Sequence, residues 1–459
     1  MQILNIWKES IRWLVLFTLF LFFACYPKER LYYIAPSLLP NIKPEMKTAG
    51  YWISRNHPYP DKLIMTPKEI KCFNTYIRDE LKLVKDISNY PQTMEREEIL
   101  TLLEKTFHYI VKKHYYKANG KKASFNFFKK IKENMNLSSI PEKINVCFGF
   151  IVRYANQRLL PTNQALYRKR GDIEFDRLQN SALDIGTPLA ILHISKDKKW
   201  YFVESPLSIG WVEVDKVAIC SLEELKQYLN PDKFIVVIKP KADIFLNPSL
   251  TFHYGYVRMG VKFPLKKEDK EIVEIIIPKR KKDGTLKLIL AYMKKKDVHK
   301  GYLPYTPRNI IEQAFSLLNA PYGWGGMYGE QDCSRFIQEI FATVGINMPR
   351  NSTDQAKVGE LIARFDEKTK EEEKIKIILS RAIGGITTLR LKGHIMLYLG
   401  SVNGRPYVIH ETWGYKEKGF LRDRIRVINK VVISDLSLGK DSKNGSLLKR
   451  IDTVRLIKR

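Results

Sequence analysis

The stretch that decides the fold is PYGWGGMYGEQDCSRFIQEIFATVG, residues 321–345. It begins as a glycine-rich loop and turns into a helix, with one cysteine at the junction. Asp332 suits an N-cap, which puts Cys333 in the first helical turn. Phe336, Ile337, Ile340, Phe341 and Val344 then share one helical face, and Gly345 suits the C-terminal cap. A thiol at that position meets the positive end of the helix dipole and unpaired backbone N–H groups, and both favour thiolate. Two readings of Cys333 stand at this point: a buried apolar thiol, the common state of a free cysteine, or a nucleophile.

A nucleophile needs a base, and the base needs an orienting group. Downstream, GHIMLYLG (393–400) and YVIHET (407–412) have strand character and flank the hairpin signal Asn403-Gly404. His394 opens the first strand and His410 lies on the second. A strict two-residue turn would pair His394 with Trp413 and put the histidines on opposite faces. A same-face pair requires an odd-length turn or a bulge, and one is expected here. Further strands are expected at 425–428 and 431–433, after a charged insertion at 366–376. Thr306-Pro307 caps a helix with an apolar stripe of Ile310, Ile311, Ala314, Phe315 and Leu318.

Upstream, residues 26–60 are dotted with proline and are expected to form an extended lead-in rather than a helix. Residues 66–137 have a helical pattern, starting at Thr66-Pro67 with Glu69 in the capping-box position. From Val146 the period changes to short strands. Runs at 146–154, 188–195, 200–203 and 210–214 predict a small barrel of five or six strands. Runs at 234–240, 257–265, 271–278 and 285–291 predict a second one. Trp200 and Trp211 suit barrel core or rim better than a ligand platform.

The 459 residues carry 78 basic and 49 acidic side chains, a formal charge of +29. Such a surface attracts anions. Here, however, the excess is mostly dispersed lysine, with no arginine stripe, zinc finger or aromatic RNA-binding motif, so a nucleic-acid partner is not expected. The five cysteines form no C-x-x-C pair, which argues against a disulfide framework or structural zinc; Cys72, Cys147 and Cys220 are expected in cores. No metal-binding motif such as H-E-x-x-H occurs, and no cofactor is called for. Lys8 and Arg12 precede an apolar run from Trp13 to Ala24, shorter than the roughly 20 residues that span a bilayer. With Ala24 before Cys25, residues 1–24 resemble a lipoprotein signal whose cysteine becomes the lipid anchor; an uncleaved anchor is the alternative. Either implies export to the cell envelope and contact with a membrane.

Taken together, Tyr322-Gly323-Trp324-Gly325-Gly326, Asp332-Cys333-Ser334, Gly393-His394 and His410 resemble the NlpC family of papain-like cell-wall cysteine peptidases. The resemblance extends to a multidomain branch and implies an α+β, multidomain chain. It would comprise a mostly helical N-terminal domain (25–145), SH3-like barrels at 146–225 and 226–300, and a peptidase domain at 301–459. It implies Cys333 as nucleophile, His394 as general base and then acid, and His410 as the orienter of His394. Tyr322 would line the site and help stabilise the oxyanion. Asp332 and Ser334 would help bind the substrate's amino end, and Ser352 matches a substrate-side serine; Asn351 stands before it where the family often has aspartate. The implied substrate is a peptidoglycan stem peptide with a free N-terminal L-alanine, cut between γ-D-glutamate and the diamino acid, beneath an overhanging first barrel. An acyltransferase or amidase built on the same Cys–His–His set, and a non-catalytic wall-binding protein, are the competing functions.

Overall fold

The computed structural model describes residues 32–56, 59–420 and 422–459. The expected signal segment, residues 1–24, and the expected lipid-anchor residue Cys25 lie outside them. Three seven-stranded sheets organise the described chain.

The first contains Cys147–Ile151, Ala155–Arg158, Gln179–Leu183, Pro188–Ile194, Trp200–Glu204, Ile209–Glu213 and Val217–Cys220. That is one or two strands more than the sequence predicts. The strand Gln179–Leu183 has no apolar alternation to announce it, because its buried side chains include Gln179 and Ser181. Both are satisfied by hydrogen bonds: Gln179 Nε2 donates to Ser181 O at 2.8 Å, and Ser181 Oγ accepts from Arg350 at 3.0 Å. Trp200 and Trp211 are buried in the core of this barrel. The second sheet covers 234–300 around Ile235, Val257, Phe263, Ile275 and Met293.

The third sheet runs in the order Tyr32–Ile34, Arg424–Asp435, Arg405–Glu417, His394–Val402, Thr387–Leu391, Ile451–Leu456 and Glu360–Arg364. Only its first pair is parallel among the described strands. The helices Pro307–Ser316 and Cys333–Ala342 supply Ile310, Ile311, Phe336, Ile337 and Ile340 to one core with the sheet's Ile395, Leu397, Val408 and Ile409.

The lead-in corrects one expectation. A helix, Ala49–Asn56, lies within it. The sequence between Pro44 and Pro58 is free of proline, so the chain can coil there, and Trp52 goes fully into the core with its Nε1 donating to Met46 O at 2.7 Å. Nor do residues 32–145 form one packing unit. Leu39 to Val84 join the core of the third sheet, whereas Ile87 to Ile144 join that of the first barrel. The capping box at Thr66 forms as expected, with Glu69 Oε2 accepting from Thr66 N at 2.7 Å. Cys220 is buried, but Cys72 and Cys147 are exposed, contrary to expectation.

Candidate active site

The cysteine helix begins at Cys333, as its N-cap predicts: Asp332 Oδ1 accepts from Arg335 N at 2.9 Å. It ends in a Schellman pair, Gly345 N to Ala342 O and Ile346 N to Phe341 O, both 3.0 Å, with Gly345 at φ +84°. The loop before it is glycine-rich because another domain presses on it. A Cβ at Gly325 would come 2.8 Å from Gln179 Cγ, and one at Gly326 would come 2.7 Å from Ala182 Cβ, both on the first barrel. Tyr154 of that barrel donates to Gly326 O at 2.5 Å.

The histidine hairpin solves its parity problem with a bulge. Val402 pairs with Arg405 around the two-residue turn, but the register shifts between Tyr398 and Gly400. Leu399 is the extra residue, and beyond it Leu397 faces Ile409. The shift brings His394 and His410 to one face, with His394 Nε2 and His410 Nδ1 2.8 Å apart. His410 Nε2 lies 3.0 Å from Ser434 Oγ. One pair of tautomers that satisfies both bonds has His394 Nε2–H donating to His410 and His410 Nε2–H donating to Ser434. It leaves His394 Nδ1 with a free lone pair.

Cys333, His394 and His410 line one cleft of about 390 Å³ with Tyr322, Trp324 and Trp413. Phe175 reaches in from the first barrel, its ring centroid 5.3 Å from Trp324 and 5.2 Å from Trp413. Among the described residues, no cysteine or histidine lines a larger groove of about 590 Å³ near Ile383 and Tyr398.

Electrostatics correct the expectation of a thiolate. Burial pushes the Cys333 thiol up to about 12, and the neighbouring Asp332 carboxylate pushes the same way. The backbone N–H groups of Ile395 and Ser334 and the Arg350 guanidinium offset only part of this. Burial also lowers His394 to about 4, helped by Arg450, and puts His410 well below the ordinary histidine range. The resting pair is therefore neutral thiol and neutral imidazole, because solvent exclusion outweighs the helix terminus.

Asp332 and Ser334, expected at the substrate's amino end, and Ser352, expected on the substrate side, do not line the cleft. Asp332 accepts from five donors: Gly325 N, Ser334 Oγ, Arg335 N, and Arg350 Nη1 and Nη2. That fills the roughly four lone-pair sites of a carboxylate. Ser334 also accepts from Arg350 Nη1 at 3.0 Å. Ser352 opens the short helix Ser352–Gln355 behind its N-cap Asn351, whose Oδ1 accepts from Asp354 N at 3.0 Å. Sequence reasoning missed Arg350 as the residue that binds this motif to the first barrel, Ser434 as the end of the histidine relay, and Phe175. Arg350 stood in view next to Asn351. Phe175 lies in an irregular loop with no period to mark it.

Residues 319–416 match the NlpC/P60 family, and residues 165–213 match the SH3 domain (SH3b1 type). Over 181 residues, 38% of this chain and 49% of the relative, the sequence is 28% identical to a gamma-D-glutamyl-L-lysine dipeptidyl-peptidase of Bacillus cereus. Over 64 residues, 14% of this chain and 22% of the relative, it is 41% identical to a protein of the same name from Bacillus subtilis. The match thus spans about half the length of the first relative. A solved NlpC/P60 endopeptidase from Photobacterium damselae subsp. piscicida has a TM-score of 0.76 at 24% identity, over 93% of this chain and 99% of that one, which is a likeness of fold.

Proposed function

The chain carries an NlpC/P60 cysteine-peptidase domain preceded by an SH3b-type domain, and on that premise we propose that it hydrolyses the γ-D-glutamyl–diamino acid bond of peptidoglycan stem peptides. The observation that carries the reading is the His394–His410 hydrogen bond of 2.8 Å in one cleft with a cysteine on the first turn of a helix. Histidine and cysteine start neutral, so the proton moves as the bond forms. His394 takes the Cys333 proton while sulfur attacks the carbonyl carbon. The Cys333 backbone N–H and the Tyr322 hydroxyl are the donors for the oxyanion, and one such donor contributes about 2.7–4 kcal/mol. Imidazolium at His394, held by His410, then protonates the departing amine. Water, deprotonated by His394, releases the L-Ala-γ-D-Glu acyl group from sulfur.

Burial that keeps the resting thiol neutral also strengthens each of these interactions once substrate closes the cleft. Phe175 and the aromatic wall narrow the cleft from the first-barrel side, which supports small released peptides as substrates over intact wall. Export with lipid attachment at Cys25 belongs to the same proposal; loss of labelling by radioactive palmitate in Cys25→Ala would support it.

The test is incubation of the purified chain with L-Ala-γ-D-Glu-L-Lys and with the diaminopimelate analogue, followed by mass spectrometry. The expected products are L-Ala-γ-D-Glu and free diamino acid, absent with Cys333→Ala. Acyl transfer to an added amine without hydrolysis would favour the acyltransferase reading.

A further inference from the structure

Glu411 has no exposed surface, and neither of its carboxylate oxygens has a hydrogen-bond partner. It follows His410 on the strand Arg405–Glu417 and lines the cleft with Tyr322 and Cys333. The cleft also contains Lys392, Lys416 and Arg450, and none of them bonds to it. A buried acid with unused lone pairs is rare in a folded chain and costly unless a ligand completes it. Burial, with Asp332, Glu330 and Glu339 on the facing loop and helix, holds its carboxyl well above the usual range. Both effects favour the protonated form of free Glu411.

Two further features indicate what completes it. Phe175, Trp324 and Trp413 turn aromatic rings toward the same cleft, a setting that attracts organic cations. Asp332, the other carboxylate near Cys333, is already filled by its five donors.

We propose that Glu411 is a specificity residue that receives a primary ammonium group of the peptide substrate. The inference rests on the peptide-hydrolase reading. The ammonium brings its charge into the cleft, Glu411 ionises to pair with it, and the carboxyl proton leaves to the buffer. Either the peptide's N-terminal amine or the side-chain amine of its diamino acid has this chemistry.

The test is calorimetric binding to the full chain carrying Cys333→Ala, at pH 6 in two buffers of different ionisation heat. L-Ala-γ-D-Glu-L-Lys should bind with release of about one proton. Adding Glu411→Gln should abolish the release and weaken affinity roughly tenfold or more. Acetylating the N-terminus, or replacing lysine with norleucine, identifies the amine: the peptide that binds without proton release lacks the recognised group. These two arms leave Glu411 in place, so they stand even if its variant misfolds. Undiminished proton release with both altered peptides, or unchanged affinity and release in Glu411→Gln, overturns the assignment. Binding without proton release overturns this inference alone. Failure of every peptide to bind overturns it together with the hydrolase reading.

Discussion

Two faces of one helix treat ionisable groups in opposite ways. Cys333, at its start, faces the cleft beside two histidines; Cys333 and His410 are buried, His394 is partly buried, and none carries a charge at rest. Arg335 and Glu339, further along the helix, join Asp184 of the first barrel and Arg258 of the second in a buried ion cluster, in which burial pushes the Glu339 carboxyl upward against the pull of the two arginines. Arg335 Nη2 lies 2.7 Å from Asp184 Oδ2 and its Nε 2.8 Å from Glu339 Oε1. Arg258 Nη2 lies 2.8 Å from Asp184 Oδ2. Burial opposes charge on both faces. On the second face, partners from three domains repay it and lock the helix against both barrels. On the first, backbone N–H groups and Arg350 repay only part of it. The contrast separates rigidity from reactivity within ten residues of helix.

Breaking each side should give a different kind of loss. Cys333→Ala should lower kcat/KM by about 10⁴-fold or more while the urea midpoint hardly moves. Arg335→Ala should do the reverse in kind. Removing one member of a buried ion cluster costs about 3–5 kcal/mol, read from urea unfolding, with activity following the folded fraction. His410→Ala should reduce kcat roughly 10²-fold with little change in KM, because the base loses its orienter but the cleft keeps its shape.

The histidines also link pH to stability. His394 is lowered to about 4 in the fold against 6.5 as a free group, so below about 6.5 the unfolded chain binds a proton that the folded chain refuses. Folding stability should therefore fall as pH drops from about 6.5 to about 4. Thermal unfolding should show a shallower slope over that window in His394→Gln. The smallest effect concerns thiol chemistry. Iodoacetamide at pH 8 should label the exposed Cys72 and Cys147 well before Cys333, whose thiol is held at about 12.

The legible part of this molecule was local chemistry. N-cap Asp332, cap Gly345 and the parity argument that demanded a bulge between His394 and His410 all rest on rules that act over a few residues. What the sequence hid depends on contacts between distant segments. The environment of Cys333 is set by Asp332, Arg350 and burial beneath several elements, so a helix-terminus argument misjudged its ionisation. The strand Gln179–Leu183 escaped notice because two of the side chains it buries, Gln179 and Ser181, are polar and bond to Gly325 and Arg350 of another domain. Ala49–Asn56 was hidden by prolines that flank it without entering it. Glu411 sits two residues before Trp413 in a strand otherwise marked by its histidine, and only the fold reveals that nothing pairs with it.

The account stands most directly on the bond formed by Cys333. Rapid acid quenching of the wild-type chain with L-Ala-γ-D-Glu-L-Lys, then peptide mapping by mass spectrometry, measures that bond. The account predicts an L-Ala-γ-D-glutamyl thioester on the fragment containing Cys333, with free lysine released in step and neither product in Cys333→Ala. Lysine release that persists in Cys333→Ala, or an acyl group mapped to another residue, would contradict it.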